Sequence, residues 1–397
     1  MGVIYGYLHL GINLLKILYV FIIMKTIAVN ARFLLRGKLE GIGRFSCESL
    51  RRITQQHPEH RFVFLFDRPY SSEFIFSSNI SPYVVPPPAR HPFLWYLWFE
   101  LALPIAFRRI KPDLFVSPDG YCSLRSGVPT LMVVHDIAFE HYPEQVPYWV
   151  RRYYQYFVPR YCHRAQAIAT VSDYTSRDLA QRYGIAPDKM TTVYNGTNPE
   201  YCPLTAEEQN SVRKRYAQGC DYFLFVGAIH PRKNLANILR AYDQFKQQTH
   251  SAVKMLIAGR RAWQSSEAFE VYENMQYQSD VLFLGHLEVS DLAAVVGGAL
   301  ALVYTSLFEG FGIPIIEAMT CRVPVITSNV SSMPEVAGDA ALLVSPHDVG
   351  AITQAMHDIY QSPALRQQLA DKGTQQVQQF GWQQTADKLW QVIEKCL

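Results

Sequence analysis

Ser306-Leu307-Phe308-Glu309-Gly310-Phe311-Gly312-Ile313-Pro314-Ile315-Ile316-Glu317-Ala318-Met319 is the stretch that decides how this chain is read. The apolar run Ala301-Leu302-Val303-Tyr304 comes just before it. A buried run, a Gly-rich turn and a helix start make a strand–loop–helix junction, and Pro314 is tolerated in a first helical turn. In an open parallel sheet such junctions lie at the carboxyl ends of the strands, where ligands bind. Gly310 and Gly312 let the backbone come close to a ligand and present its N–H groups. The helix start adds a partial positive charge suited to an anion. Glu309 lies in the loop and Glu317 about one turn into the helix, so the two reach different parts of one extended ligand. A carboxylate accepts two hydroxyl hydrogen bonds, which suits a sugar or a ribose.

Outward from this junction the same alternation repeats. Short runs rich in Val, Ile and Phe are followed by longer amphipathic stretches, the mark of βαβ units. Strands are expected at 26–31, 61–66, 113–117, 129–134 and 166–171, then at 222–227, 253–258, 281–284, 300–304, 323–327 and 340–344. Helices are expected at 42–56, 92–109, 147–163 and 173–183, then at 234–248, 290–298, 313–320, 348–360, 363–379 and 383–396. Pro82 and Pro86 to Pro88 mark an irregular connection. Asn195-Gly196, Pro199 and Pro203 mark the end of a first domain. The fold class is α/β, with two Rossmann-like domains. Residues 24–203 form the first domain, 204–380 the second, and 381–397 a last helix packing back on the first. The length of 397 residues suits two domains.

Composition excludes several classes of function. Hydrophobic residues make up 49% and charged residues 18%, so each half can bury a core. A net charge of +3 without basic blocks argues against nucleic acid. The seven cysteines are odd in number and scattered, with no Cys-x-x-Cys pair. That spacing suits a reducing cytosol and neither a disulfide framework nor a zinc site. No His, Cys and Asp set has metal-ligand spacing, so no metal is expected. Residues 1–23 form a hydrophobic extension. Lys16 and Lys25 interrupt the apolar run from Ile12 to Val29, so a clean spanning helix is not indicated. The extension is read either as a lead-in to the first strand or as a membrane-surface anchor. Ser172 and Asp173 read as a helix N-cap.

Two further pieces carry chemistry. Phe225-Val226-Gly227-Ala228-Ile229-His230-Pro231-Arg232-Lys233-Asn234 follows the first strand of the second half. Arg232 and Lys233 there would stand at the ligand edge of the sheet, where cations and a helix start can hold a diphosphate. In the first half Gly41-Ile42-Gly43-Arg44 opens a helix, and Val133-Val134-His135-Asp136 ends a buried strand. Both would face a cleft between the domains.

These blocks together resemble the retaining family-4 glycosyltransferases, with the E-x7-E pattern at Glu309 and Glu317. The resemblance covers roughly residues 25–390. It rests on G-I-G-R, V-H-D, V-S-D-Y-T-S-R-D-L, Y-N-G, V-G-A-I-H-P-R-K-N-L, E-G-F-G-I-P-I-I-E-A-M and P-V-I-T-S-N-V-S-S-M-P-E-V-A-G-D-A-A. The P-R-K-N and S-N-V-S-S-M-P-E-V blocks are similar to the branch of bacterial mannosyltransferases of O-antigen and exopolysaccharide assembly. The chain departs from the commonest pattern at Met319-Thr320-Cys321-Arg322, behind the site.

The resemblance implies a GT-B fold, two domains facing across a cleft, and no cofactor beyond a nucleotide-sugar co-substrate. GDP-mannose is the first expectation and a UDP-hexose the second. Glu309 would bind hydroxyls of the donor sugar and Glu317 the ribose. Backbone N–H groups of Gly310, Phe311 and Gly312 would support sugar or diphosphate beside Gly227. Arg232 and Lys233 would hold the departing diphosphate, and His135 would sit beside the reacting centre. Gly41, Gly43, Arg44 and Asp136 would shape the phosphate and acceptor side. The acceptor would be a glycan or lipid-linked oligosaccharide, met in the cytoplasm at the inner face of the plasma membrane. Three alternatives stay open: a nucleotide-sugar epimerase, a phosphorylase with a pyridoxal cofactor on a lysine such as Lys254, or a non-catalytic binding module. The aromatic stretch Phe93 to Phe99 is read as core, with contact to a membrane or lipid-linked acceptor as the alternative.

Overall fold

Runs such as Phe62-Val63-Phe64-Leu65-Phe66 are apolar on both faces, and a strand of that kind is stable only when covered on both sides. The computed structural model describes residues 24–260 and 266–397 and sets these runs into two sheets. The first sheet holds β1 (Thr26–Asn30), β2 (Arg61–Phe66), β3 (Ile80–Val84), β4 (Leu114–Ser117), β5 (Thr130–Val134), β6 (Ala167–Thr170) and β7 (Met190–Thr192). Its order is β3-β2-β1-β4-β5-β6-β7. The second holds β8 (Tyr222–Val226), β9 (Lys254–Ala258), β10 (Val281–Gly285), β11 (Ala301–Tyr304), β12 (Val325–Ser328) and β13 (Leu342–Val344), in the order β10-β9-β8-β11-β12-β13. All these pairings are parallel. The strand order reverses between β1 and β4 and again between β8 and β11. Loops leaving the carboxyl ends there diverge and open a crevice.

Several elements differ from the sequence reading. The irregular connection expected around Pro82 is the strand β3. It lies at the sheet edge and pairs only with β2, so the N–H that Pro82 lacks is not needed by a neighbour. The short edge strand β7 was not anticipated, nor were the helices Ala206–Tyr216, Ser266–Glu273 and Met333–Ala337. Ala206–Tyr216 starts with a capping box, Thr205 and Glu208 bonding reciprocally. The helix expected over 92–109 is interrupted by a π turn at Trp98–Ala102 between Pro92–Leu97 and Leu103–Ile110. This extra residue turns Glu100 inward, where its carboxylate accepts from the N–H groups of Leu124 and Arg125. The expected cap at Ser172 is present, with its hydroxyl accepting from Thr175 N–H at 3.1 Å.

The last helix, Trp382–Cys396, lies against the helix Gly41–Gln56. Trp390 stacks on His57 with ring centres 3.6 Å apart, and the Thr385 hydroxyl donates to the Tyr194 carbonyl at 2.7 Å. Gly196 makes the crossing possible, because a Cβ there would sit 2.4 Å from the Trp382 nitrogen. The hydrophobic extension 1–23 lies outside the described residues. Among the described residues no helix is long and apolar enough to cross a membrane.

Candidate active site

β8 pairs directly with β11, with Phe223 opposite Ala301 and Leu224 opposite Leu302. Their following loops therefore lie side by side at the switch point of the second sheet. The Gly227 loop ends in a tight turn, Pro231–Lys233, and Asn234 follows at φ 61°. The Asn234 amide donates to the carbonyls of Thr305 and Pro346 at 2.9 and 2.7 Å, which ties the two loops together. Gly227 itself has φ 143°, a region few residues but glycine adopt, and the Lys233 stem runs alongside it.

This arrangement brings Arg232, Lys233 and Glu309 into one cluster. Lys233 Nζ lies 2.6 Å from Glu309 Oε1 and donates to the Tyr304 hydroxyl at 2.8 Å. Arg232 Nη1 lies 3.3 Å from Glu309 Oε2 and donates to the Phe308 carbonyl at 2.8 Å. Burial by itself would raise the Glu309 carboxyl, but the charges of Lys233 and Arg232 overcome it and hold the group at about 2. Burial also lowers the Lys233 ammonium, against the opposing pull of Glu309. The cluster is a carboxylate between two cations, with one net positive charge left for an anion.

Glu317 is placed differently. It lies in the helix Ile313–Thr320 and is 8% exposed. Burial pushes its carboxyl up to about 7, opposed by a hydrogen bond with Tyr201 and by the charge of Arg44. Tyr201 comes from the segment between the sheets, and Arg44 from the Gly41–Gln56 helix of the first half. The Phe311 ring packs 6.0 Å from Tyr194 and 5.6 Å from Phe380, so only its backbone is offered to a ligand.

The first sheet supplies the facing wall. His135 follows β5, and its Nε2 lies 2.9 Å from the Pro118 carbonyl. A carbonyl only accepts, so Nε2 carries the proton and Nδ1 is left as an acceptor. Burial lowers the His135 pKa despite that bond, which keeps the ring neutral. Asp136 Oδ1 accepts from Ala138 N–H at 2.9 Å. A cavity of about 190 Å³ lies beside His135 and Asp136, lined also by Phe33, Tyr121, Phe139 and Tyr154. Gly43 lets the preceding loop close down, since a Cβ would lie 2.8 Å from the Phe33 carbonyl oxygen. Gly41 starts the helix at φ 35°.

The structure adds residues that the sequence did not single out for the site. At the switch point of the first sheet Arg32 Nε lies 2.5 Å from Asp119 Oδ2, and Asn30 donates to the same oxygen at 2.8 Å. The two halves touch through Gly310, whose carbonyl accepts from Ser172 Oγ at 2.7 Å. A Cβ on Gly310 would lie 2.0 Å from the His135 carbonyl oxygen, so glycine is required for this approach. Phe308 sits against His141, Tyr142 and Tyr174, and the Tyr142 hydroxyl donates to the Leu307 carbonyl. Glu335 accepts from the N–H groups of Asp173 and Tyr174 at 2.7 and 2.9 Å, capping a helix of the opposite half. Of these, Ser172, Asp173 and Tyr174 fall in the quoted V-S-D-Y block, Glu335 in the M-P-E-V block, and Phe308 and Gly310 in the Gly-rich stretch, whereas Asn30, Arg32, Asp119, His141 and Tyr142 carried no local signal. Lys254 starts β9, at the opposite end of the strand from these loops, in an ion pair with Asp280 at 2.5 Å. Among the described residues no three His, Cys, Asp or Glu side chains gather as a metal-holding group.

Comparison with known proteins agrees with this geometry. Residues 40–201 match the family model described as Glycosyltransferase Family 4, and residues 207–376 match Glycosyl transferases group 1. O-antigen chain mannosyltransferase B of Escherichia coli is 32% identical over 283 residues, covering 70% of this chain and 73% of that protein. O-antigen chain mannosyltransferase RfbU of Salmonella typhimurium is 29% identical over 278 residues, covering 68% and 72%. In fold, a glycosyltransferase from Rickettsia africae superposes with a TM-score of 0.72 at 16% identity, covering 94% of this chain and 99% of the other. WaaG, a glycosyltransferase involved in lipopolysaccharide biosynthesis, superposes with a TM-score of 0.71 at 14% identity, covering 93% and 99%. The two parallel sheets, the paired loops at their switch points and both family matches lead to one conclusion: this chain belongs to the family-4 glycosyltransferases and has their two-domain GT-B fold.

Proposed function

We propose that the enzyme transfers a hexose, mannose in the first instance, from a nucleoside-diphosphate sugar to a glycan or lipid-linked oligosaccharide in cell-surface polysaccharide synthesis. GDP-mannose is the donor favoured by the likeness to O-antigen mannosyltransferases, with a UDP-hexose second. In this reading residues 24–203 form the acceptor domain and 204–380 the donor domain. The reaction takes place in the cytoplasm, peripheral to the inner face of the plasma membrane.

The observation that carries the reading is the Arg232–Lys233–Glu309 cluster, next to which Gly310 closes on the His135 carbonyl of the other half. Cleavage of an anomeric bond to a diphosphate leaves negative charge on the leaving group. Arg232 and Lys233 stabilise that charge without rearranging, because Glu309 already holds them in place. Glu309 oxygens accept hydroxyls of the donor sugar, and Glu317 those of the ribose. His135 Nδ1 accepts a hydroxyl beside the reacting carbon. In the proposed retaining course the acceptor attacks from the side the diphosphate leaves, and the leaving phosphate oxygen takes its proton. Closure over the donor excludes water.

The test is consumption of a panel of nucleotide sugars by the wild type, Glu309→Ala and Arg232→Ala, with the product anomer read by NMR. One sugar nucleotide is consumed with retention, and both variants lose at least ~10²-fold in rate. An inverted product overturns the mechanism. Unchanged variants overturn the site.

A further inference from the structure

Two helical segments of the first half present an unusual outer face. The helix Tyr148–Arg164 exposes Trp149, Arg152, Tyr156 and Arg160 at spacings of three and four residues, which places them along one stripe. Trp149 is 69% exposed and Tyr156 53%. Beside it, the segment from Pro92 to Ile110 exposes Phe93, Leu101 and Ile105 and ends in the exposed pair Arg108 and Arg109. The two segments are packed together, with the rings of Tyr96 and Phe157 6.1 Å apart at their seam. Six of the twelve large hydrophobic side chains exposed among the described residues, Tyr148 included, belong to these two adjoining segments, so the exposure is not scattered over the surface.

Charge settles what the face fits. Residues 90–111 and 148–164 hold four Lys or Arg each. The only acid in either segment is Glu100, which is buried and bonded to backbone N–H groups. A face of aromatic and aliphatic side chains interleaved with arginines, without an exposed carboxylate, is complementary to an anionic lipid bilayer. Aromatic rings settle at headgroup depth, and arginines pair with the phosphates. The helices are each roughly 25 Å long at 1.5 Å per residue, enough for a docking footprint.

We infer that this face docks the enzyme on an anionic membrane surface. The helix Tyr148–Arg164 has two working sides. Its outer stripe would lie on the bilayer, while Tyr154 and Val158 on its inner side line the cavity next to His135 and Asp136. Tyr142, just ahead of it, touches the donor loop at Leu307. Docking by this face brings the cleft to the membrane plane, where the lipid-linked acceptor proposed above would be presented. The inference extends that reading, but its test does not depend on transfer activity.

The experiment is co-sedimentation of the full chain with phosphatidylcholine vesicles, with and without phosphatidylglycerol, over a salt series. The wild type binds the anionic vesicles, binds the neutral ones weakly and is released by salt. Arg152→Glu with Arg160→Glu lowers partitioning by roughly 25-fold or more, at on the order of fivefold per cation. Trp149→Ser with Tyr156→Ser lowers it on anionic and neutral vesicles alike. Both variants keep the wild-type melting temperature and donor hydrolysis. Wild-type chain that ignores anionic vesicles overturns the inference. Equal partitioning of the charge-reversed variant also overturns it, because residues outside this face, the hydrophobic segment 1–23 included, would then be doing the binding.

Discussion

Replacing Glu317 with Gln isolates the electrostatic cost of one buried carboxyl. In the folded protein burial raises that carboxyl from 4.5 to about 7. Its proton is therefore held more tightly in the native state than in the unfolded chain. The resulting contribution to stability is fully present below about 4.5 and is lost as pH rises through about 7. A rise from 4.5 to about 7 corresponds to roughly 3 kcal/mol. Gln has nearly the same shape and never ionises. Wild type and variant should then be matched in stability near pH 4.5, and the variant should be more stable by roughly 3 kcal/mol at pH 8. Denaturant unfolding followed by tryptophan fluorescence, without nucleotide, reads the difference across this range. In the same experiment the variant should bind nucleoside diphosphate more weakly, since it has lost the carboxylate proposed to accept the ribose hydroxyls. A stability difference that does not change between pH 4.5 and 8, or a variant less stable at pH 8, refutes the reasoning.

Three further perturbations bear on the cleft. Gly310→Ala puts a methyl group 2.0 Å from the His135 carbonyl, so the halves cannot meet; kcat should fall on the order of 10²-fold from misplacement while donor affinity changes little, as read by steady-state kinetics beside calorimetry. Glu309→Gln leaves Lys233 and Arg232 without their anion, so unfolding stability without ligand should fall by roughly 3 kcal/mol. Added nucleoside diphosphate should restore most of that loss while transfer stays abolished, because the diphosphate supplies the missing charge. Glu335→Gln keeps the shape but removes the charge from two helix-capping bonds across the cleft, weakening closure by roughly 1–2 kcal/mol; small-angle scattering should show a larger radius of gyration than wild type without ligand.

The fold was legible because parallel strands buried on both faces leave continuous apolar runs, as in Arg61–Phe66 and Tyr222–Val226. β3 escaped because Pro82 reads as a breaker unless its edge position is known, and three-residue β7 is too short to show a period. The helix Ala206–Tyr216 carried its signal openly in Thr205 and Glu208, but its low apolar content hid it. Within the site, Arg232, Lys233 and Glu309 could be picked out because each lies in the loop that follows a strand in the sequence. That Glu309 sits between the two cations could not be read, since it depends on β8 pairing with β11. Asp119 beneath Arg32, Tyr201 against Glu317 and Glu335 on the Asp173 helix all join residues distant in sequence. No local pattern records such meetings: Arg32 reaches Asp119 because β1 pairs with β4, and Glu335 reaches the Asp173 helix only where the two halves face each other.

The two glutamates of one motif, eight positions apart, are set to opposite electrostatic states by their surroundings. Glu309 is kept anionic by two cations that burial would otherwise destabilise, and the three groups hold one another in place before any ligand arrives. Glu317 has only the Tyr201 hydroxyl and the more remote charge of Arg44, so burial prevails and favours its neutral form. A site that pushes two like groups apart in this way assigns them different tasks. The first is prepared for a developing charge and should tolerate little change. The second is at its least stable as a carboxylate when empty, and a ribose that bonds to it would relieve that cost. Nucleotide binding near neutral pH should therefore release protons from Glu317, and the free energy gained there favours the conformation in which Tyr201 and Arg44 converge on it. In this account the ribose carboxylate reports occupancy to the segment joining the two sheets, while Glu309 and its cations carry the charge of the reaction.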